Sequence, residues 1–200
     1  NSLKQRIELA RFRGGIDKNL ILGSIKDADF DSDNNMYLLD EDQLFLFRIN
    51  MGSGTIDTLM VKGKGPGGLQ YPIDIEIEKN NLFVADVNSG ISWLNLIHPD
   101  QKKLEAREIS VSSFEPAGKG FYLRKRHIEP NSDGHIQIIE YYDTSLKRVT
   151  SNFGSAYIHA HGSAVSLYSV GLLEYVPEND ILVSGDVATP IISAYLRGSK

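Results

Sequence analysis

The sequence predicts an all-β fold assembled from a repeated antiparallel sheet unit, and three observations carry that prediction. Short apolar alternations bounded by Gly, Asn, Asp and Pro recur along the chain. Helical periodicity is weak throughout. The alternations also align with one another at a regular spacing, which is the mark of a repeat architecture.

The first copy is Ile25–Phe30, a turn over Asp31–Asn35, and then Met36–Asp40. The second is Ile73–Glu78, a turn at Asn80-Asn81, and then Leu82–Asp86. Laid side by side they pair Asp27 with Asp74, Phe30 with Ile77, Asn35 with Asn81 and Asp40 with Asp86, with one extra residue in the first turn. Each continues into a third apolar strand, Leu44–Ile49 and Ile91–Leu96. Fainter copies are read at Asp133–Ile139 and Val176–Ser184. The strand anchors Met36, Leu82, His135 and Ile181 are 46, 53 and 46 residues apart, and a four-stranded propeller blade repeats every ~40 to 50 residues.

The predicted fold class is therefore a β-propeller with about four blades. The last strand, Pro190–Leu196, stops in mid-blade by the repeat's own logic, so the expectation is an incomplete arc of a larger ring. The whole chain reads as one domain: irregular strands over residues 1–22, including Ile7–Ala10 and Leu20–Gly23, blades over 23–68, 69–113 and 114–160, and a partial blade over 161–200.

Composition narrows the function classes. A chain of 200 residues with 41% hydrophobic and 24% charged residues has the material for a sizeable core. A net charge of −5 argues against a broad phosphate-binding surface. Its one basic run, Arg124-Lys125-Arg126-His127, reads as a solvated strand edge rather than a nucleic-acid site. Without cysteine there is no disulfide, thiolate nucleophile or sulfur-ligated metal. The sequence begins at Asn1 and has no long apolar run, so it contains neither a signal peptide nor a membrane span, and targeting residues would lie upstream.

The run Gly65-Pro66-Gly67-Gly68-Leu69-Gln70-Tyr71-Pro72, followed by Ile73–Ile77 and Asn81–Asp86, resembles an NHL-type repeat. Such repeats have a Gly-Pro-Gly turn, a Pro before the inner strand and a second strand of the form (I/L)-(Y/F)-V-x-D. In style the chain is similar to the six-bladed propellers of cell-envelope lipoproteins in Bacteroidetes-type bacteria, within the TolB-like and NHL superfamily. The resemblance covers residues 20–97 well and residues 98–200 weakly. Six such blades need about 280 residues at this period, so the chain resembles the N-terminal two-thirds of such a protein. The resemblance implies a propeller fold and a cell-envelope or otherwise extracytoplasmic location.

Four patterns are weighed for chemistry. Gly63-Lys64-Gly65-Pro66-Gly67-Gly68 satisfies G-x-G-x-x-G, but Pro72 and the alternation after it begin a strand where a dinucleotide site needs a helix. An inter-blade turn is the better reading. Asp29, Asp31 and Asp33, with Asp40 at the twelfth position, have calcium-loop spacing. Asn34 replaces the turn glycine, however, and Glu76, Glu78 and Asn80 repeat the register, so a solvated outward-facing strand and its turn account for both copies. His159 and His161 stand two apart on one strand, a spacing that holds a transition metal if His127 or Asp86 converges on it. The resemblance adds the peptide-amidating lyases, NHL-type enzymes with a histidine-bound zinc at the ring centre. Gly162-Ser163-Ala164 lacks the strained elbow of a serine hydrolase.

The leading functional expectation is a non-catalytic binding or scaffold propeller that recognises a protein, peptide or glycan and carries no cofactor. Polar residues follow the second strand of each clear copy: Asp40, Asp42 and Gln43, and then Asp86, Asn88 and Ser89. They should cluster on one face, where Tyr71, Asp74 and Trp93 add stacking and hydrogen-bonding groups, although core packing is the better reading of Trp93. Among the aromatics, Tyr37 and Phe83 occupy matching positions and read as inter-blade core. The alternative is a metal-dependent hydrolase or lyase working at the central channel with zinc or calcium, its ligands drawn from His127, His159 and His161. A third reading is self-association through an open blade edge.

Overall fold

The computed structural model describes residues 22–65, 67–100, 103–105, 109, 111–125, 137–143, 149–155, 171–186 and 192–196. Sixteen strands are formed among these residues, and no helix. The first sheet holds β1 (Ile25–Phe30), β2 (Asn35–Asp40), β3 (Phe45–Asn50), β4 (Ile56–Lys62) and β5 (Gly68–Leu69). In the second are β6 (Pro72–Glu78), β7 (Asn81–Asp86), β8 (Gly90–Asn95) and β9 (Lys103–Glu105). β10 (Val111–Pro116), β11 (Gly120–Lys125), β12 (Gln137–Asp143) and β13 (Val149–Ser155) make the third. The fourth comprises β14 (Gly171–Val176), β15 (Ile181–Asp186) and β16 (Ile192–Leu196). Strands pair in chain order within every sheet, and all pairs are antiparallel except the short parallel contact of β5 with β4.

The hairpins form where the sequence allows a left-handed residue. The turn between the first two strands of each sheet holds one: Asn34 (φ 63°), Lys79 (φ 56°), Gly118 (φ 63°) and Asp180 (φ 53°). Turns between the second and third strands repeat the device, with Leu44 (φ 57°) in the first sheet and Gly90 (φ 81°) in the second. Glycine takes this conformation freely, whereas a side chain such as that of Leu44 is held in it by its surroundings. Leu44 packs against the first core cluster.

Side chains alternate across each strand, so a central sheet presents one apolar set to each neighbour. Leu82 and Val84 of β7 join Tyr37, Leu39 and Leu46 of the first sheet in one buried cluster. Phe83 and Ala85 face the other way and pack with Phe114, Phe121 and Leu123 of the third sheet. Tyr122, Ile139 and Tyr141 of the third sheet then meet Leu173 and Leu182 of the fourth. The first strands pack on one another in sequence, β1 on β6, β6 on β10 and β10 on β14. Successive antiparallel meanders stacked face to face, with their first strands side by side, make this a β-propeller fold.

Three local expectations are corrected. The third repeat was expected to have its second strand at His135–Ile139, but β11 takes that place and residues 137–143 form the third strand of the sheet. Asp133-Gly134 mimics the hairpin signal that Gly118 in fact supplies. Arg124 does not stand on a solvated edge: it is fully buried and donates to Ser184 Oγ at 2.7 Å. Burial lowers its guanidinium below the usual range. Lys125 pairs with Glu140 at 2.9 Å, while Arg126 and His127 lie outside the described residues. The strands carrying Asp29 and Glu76 face a neighbouring sheet rather than solvent, as the next subsection shows. The N-terminal strand expected at Ile7–Ala10 lies outside the described residues.

Candidate binding face

The turn that follows the second strand is built the same way in both clear repeats. Asp40 Oδ1 accepts from the N–H groups of Asp42 (3.1 Å) and Gln43 (2.9 Å), while Oδ2 accepts from Gly23 N–H at 2.7 Å. Asp86 Oδ1 accepts from Asn88 (2.9 Å) and Ser89 (3.0 Å), and Oδ2 from Gln70 (2.7 Å) and Tyr71 (2.8 Å). Both aspartates are essentially inaccessible to solvent. A carboxylate has acceptor sites for four such bonds, and here they tie the chain entering the sheet to the turn leaving its second strand. Asp186 holds the same register position in the fourth sheet, opposite Gly171.

Around these anchors the turns present the groups that the sequence selected. Asp42 and Asn88 are exposed, and Gln43 and Ser89 are half-exposed beside them. Tyr71 is 52% exposed at the start of β6, held there by its own N–H to Asp86. Gln70 Nε2 reaches Ser89 Oγ at 3.4 Å, which links the incoming loop to the turn. Leu22 and Ile25 add exposed apolar surface at the same end of the first sheet. Two of the expected binding residues lie elsewhere. Trp93 sits in the middle of β8 opposite Phe83, packed on the cluster between the second and third sheets. Asp74 lies within β6 and accepts from Phe114 N–H of β10 at 2.9 Å.

The glycine run is the crossing between the first two sheets. Gly63 N–H donates to Leu69 O at 3.0 Å, and Gly68 N–H to Gly65 O at 2.8 Å. Gly67 has φ 72°, and a Cβ on Gly68 would come within 2.6 Å of the Gly63 carbonyl carbon. The glycines thus serve close backbone approach. A groove of about 310 Å³ beside them is lined by Thr58, Leu59, Val61, Lys62 and glycine backbone.

Asp31, in the run with calcium-like spacing, has its carboxylate filled by the turn. It accepts from the backbone N–H groups of Asp33 and Asn35, from Asn35 Nδ2 and from Tyr37 Oη, at 2.8 to 2.9 Å. Partial burial alone would raise this carboxyl, but those donors hold it below the ordinary range. Among the described residues no three His, Asp or Glu side chains are grouped to hold a metal. His127, His159 and His161 lie outside the described residues. Among the described residues no helix is long and apolar enough to cross a membrane.

The feature least visible in sequence is the contact between first strands. Asp27 Oδ2 accepts from Ile75 N–H at 2.9 Å, and Asp29 Oδ2 accepts from Ile77 N–H at 2.8 Å. Each carboxylate thus satisfies a donor on the edge of β6 that β7 does not use. Asp74 repeats the contact to β10. Asp27 and Asp74 were paired in the sequence alignment, and that pairing is the signal from which the repeated contact could have been read.

No protein-family model and no curated protein matches the sequence. Solved structures do. A putative exported protein from Bacteroides fragilis NCTC 9343 aligns with TM-score 0.59 at 13% identity over 90% of this chain and 52% of its own, so the chain spans about half of that protein. The computationally designed Ika4 protein aligns with TM-score 0.56 at 11% identity, covering 92% of this chain and 97% of its own. A chain of the nidogen/laminin complex aligns with TM-score 0.48 at 14% identity over 86% and 80%. At these identities the likeness is one of fold.

Proposed function

We propose that the chain is a non-catalytic binding propeller that recognises a protein, peptide or glycan partner through the face carrying the turns at 41–44 and 87–90 and Tyr71. One observation carries the reading. The two turns share one internal construction, with Asp40 held by three backbone donors and Asp86 by four, so the groups around them are presented on fixed backbone. The side chains set out this way are an acid, two amides, a hydroxyl and an aromatic ring with one polar end. Such groups recognise by hydrogen bonding and stacking. Rigid presentation lowers the ordering cost of association. Asp74 and Trp93, further inside, support the face rather than line it. The NHL/TolB-like repeat signature, the blade boundaries read from it, a six-bladed parent ring and an extracytoplasmic setting belong to the same proposal, on the resemblance over residues 20–97.

The test is a triple variant, Asp42→Ala, Tyr71→Ala and Asn88→Ala, compared with Ile97→Ser at the opposite end of the second sheet. Peptide and glycan arrays, and affinity capture from the envelope fraction of the source cell, would be read with each protein. The expected result is an unchanged melting temperature and loss of specific capture for the triple variant alone. Identical capture by all three proteins counts against this face.

A further inference from the structure

The contacts between first strands follow a rule that one residue breaks. Asp29, Glu76, Glu115 and Glu174 occupy the same position in their four sheets, opposite Tyr37, Phe83, Tyr122 and Val183 of the second strands. One step further along lie Phe30, Ile77, Pro116 and Tyr175. Between the first and second sheets, Asp29 accepts from Ile77 N–H. Between the third and fourth, Glu115 accepts from Tyr175 N–H. By the same rule Glu76 should accept from residue 116, but that residue is proline and has no N–H. Glu76 instead hydrogen-bonds the Glu115 carboxyl. Two carboxylates cannot make that bond without a proton between them.

We propose that Glu76 and Glu115 form a proton-sharing rung between the second and third sheets, in which the Glu76 carboxyl donates its proton to Glu115 in place of the N–H that Pro116 lacks. The surroundings favour the proton. The charges facing the pair are Asp27 and Asp29 on β1, Asp74 on β6 and Glu174 on β14. Glu78 follows on β6 toward the turn at 117–119, and Tyr122 stands opposite Glu115 on β11. Lost hydration and then the Glu115 charge push Glu76 up to about 10, while lost hydration and Glu174 push Glu115 to about 8. In alkali, hydroxide removes the shared proton as water, leaving two carboxylates in repulsive contact.

The sign of the stability effect follows. Both groups bind protons more tightly folded than unfolded, so the folded chain holds more protons between the ordinary glutamate range and the raised values. Stability is therefore greatest in mild acid and falls as pH rises through about 8 toward about 10.

Infrared difference spectra of the intact protein between about pH 6 and about pH 10, near these raised values, test the rung directly. A protonated-carboxyl band should be present at the lower pH and lost at the higher one. Glu76→Gln keeps a donor toward Glu115 but has no titrating proton of its own, so it should weaken that band and show a smaller alkaline drop in melting temperature. Pro116→Ala restores the N–H and should make the band disappear at a lower pH than in the wild type. A wild-type protein with no such band, or a band unchanged by Glu76→Gln, overturns the proposal. Because the wild-type spectrum alone can do so, the test survives a variant that fails to fold.

Discussion

Replacing Asp86 by Ala strips an acceptor from four backbone N–H groups at once, those of Gln70, Tyr71, Asn88 and Ser89. Leaving a buried donor unsatisfied costs about 1–3 kcal/mol. Water can reach some of these groups at a turn, so the expected loss is roughly 3 kcal/mol rather than the full sum. Asp86→Asn keeps one carbonyl acceptor and should lose less. Chemical denaturation of the three proteins checks the order, and an alanine variant as stable as wild type would contradict the anchoring role. Asp40 and Asp86 were found in sequence because they recur at one repeat position. Sequence shows a carboxylate at a spacing but not which donors surround it, so they read equally well as ligand-binding groups. Asp42 and Asn88 of the same turns stand exposed beside these anchors.

Elements were legible wherever alternation and turn chemistry coincided. The strands of the first two sheets follow directly from runs such as Ile73–Glu78 and Leu82–Asp86, since a half-buried strand needs that period. The third sheet was misread by one strand because β11, Gly120–Lys125, ends in Arg124 and Lys125, which look like solvent-facing residues. Arg124 is met there by Ser184, sixty residues away. That is tertiary information no local pattern holds. The start of β11 offers its own prediction. A Cβ on Gly120 would run into the Tyr142 carbonyl and the ring of Tyr141 on β12. Gly120→Ala should therefore cost about 2 kcal/mol, in the range of overpacked sites, through displacement of β12. Gly65 has open space at its Cβ position, so Gly65→Ala serves as the control. Thermal melts that place both variants at the same temperature would refute the close approach.

At the scale of the molecule, the core between adjacent sheets is shared, while Leu38, Phe47 and Ile49 form a cluster within the first sheet. The second sheet presents Leu82 and Val84 to the first and Phe83 and Ala85 to the third, and the third passes Tyr122 and Tyr141 to the fourth. Carboxyl contacts between first strands lie along the same boundaries. Both kinds of contact exist only when adjacent sheets are folded together, which couples their stabilities as in other stacked-repeat proteins. Trp93, the single tryptophan of the chain, packs on the cluster that joins the second and third sheets. Its fluorescence reports that boundary, whereas far-UV circular dichroism reports strands in all four sheets. Coupled sheets should give coincident urea transitions by the two probes, the signature of a cooperative unit. Val84→Ala, which acts at the boundary with the first sheet, should shift both curves together although the side chain faces away from Phe83. A tryptophan transition that stays in place while the dichroism curve moves would show that the sheets melt one by one, and would remove the rigid scaffold on which the binding face depends.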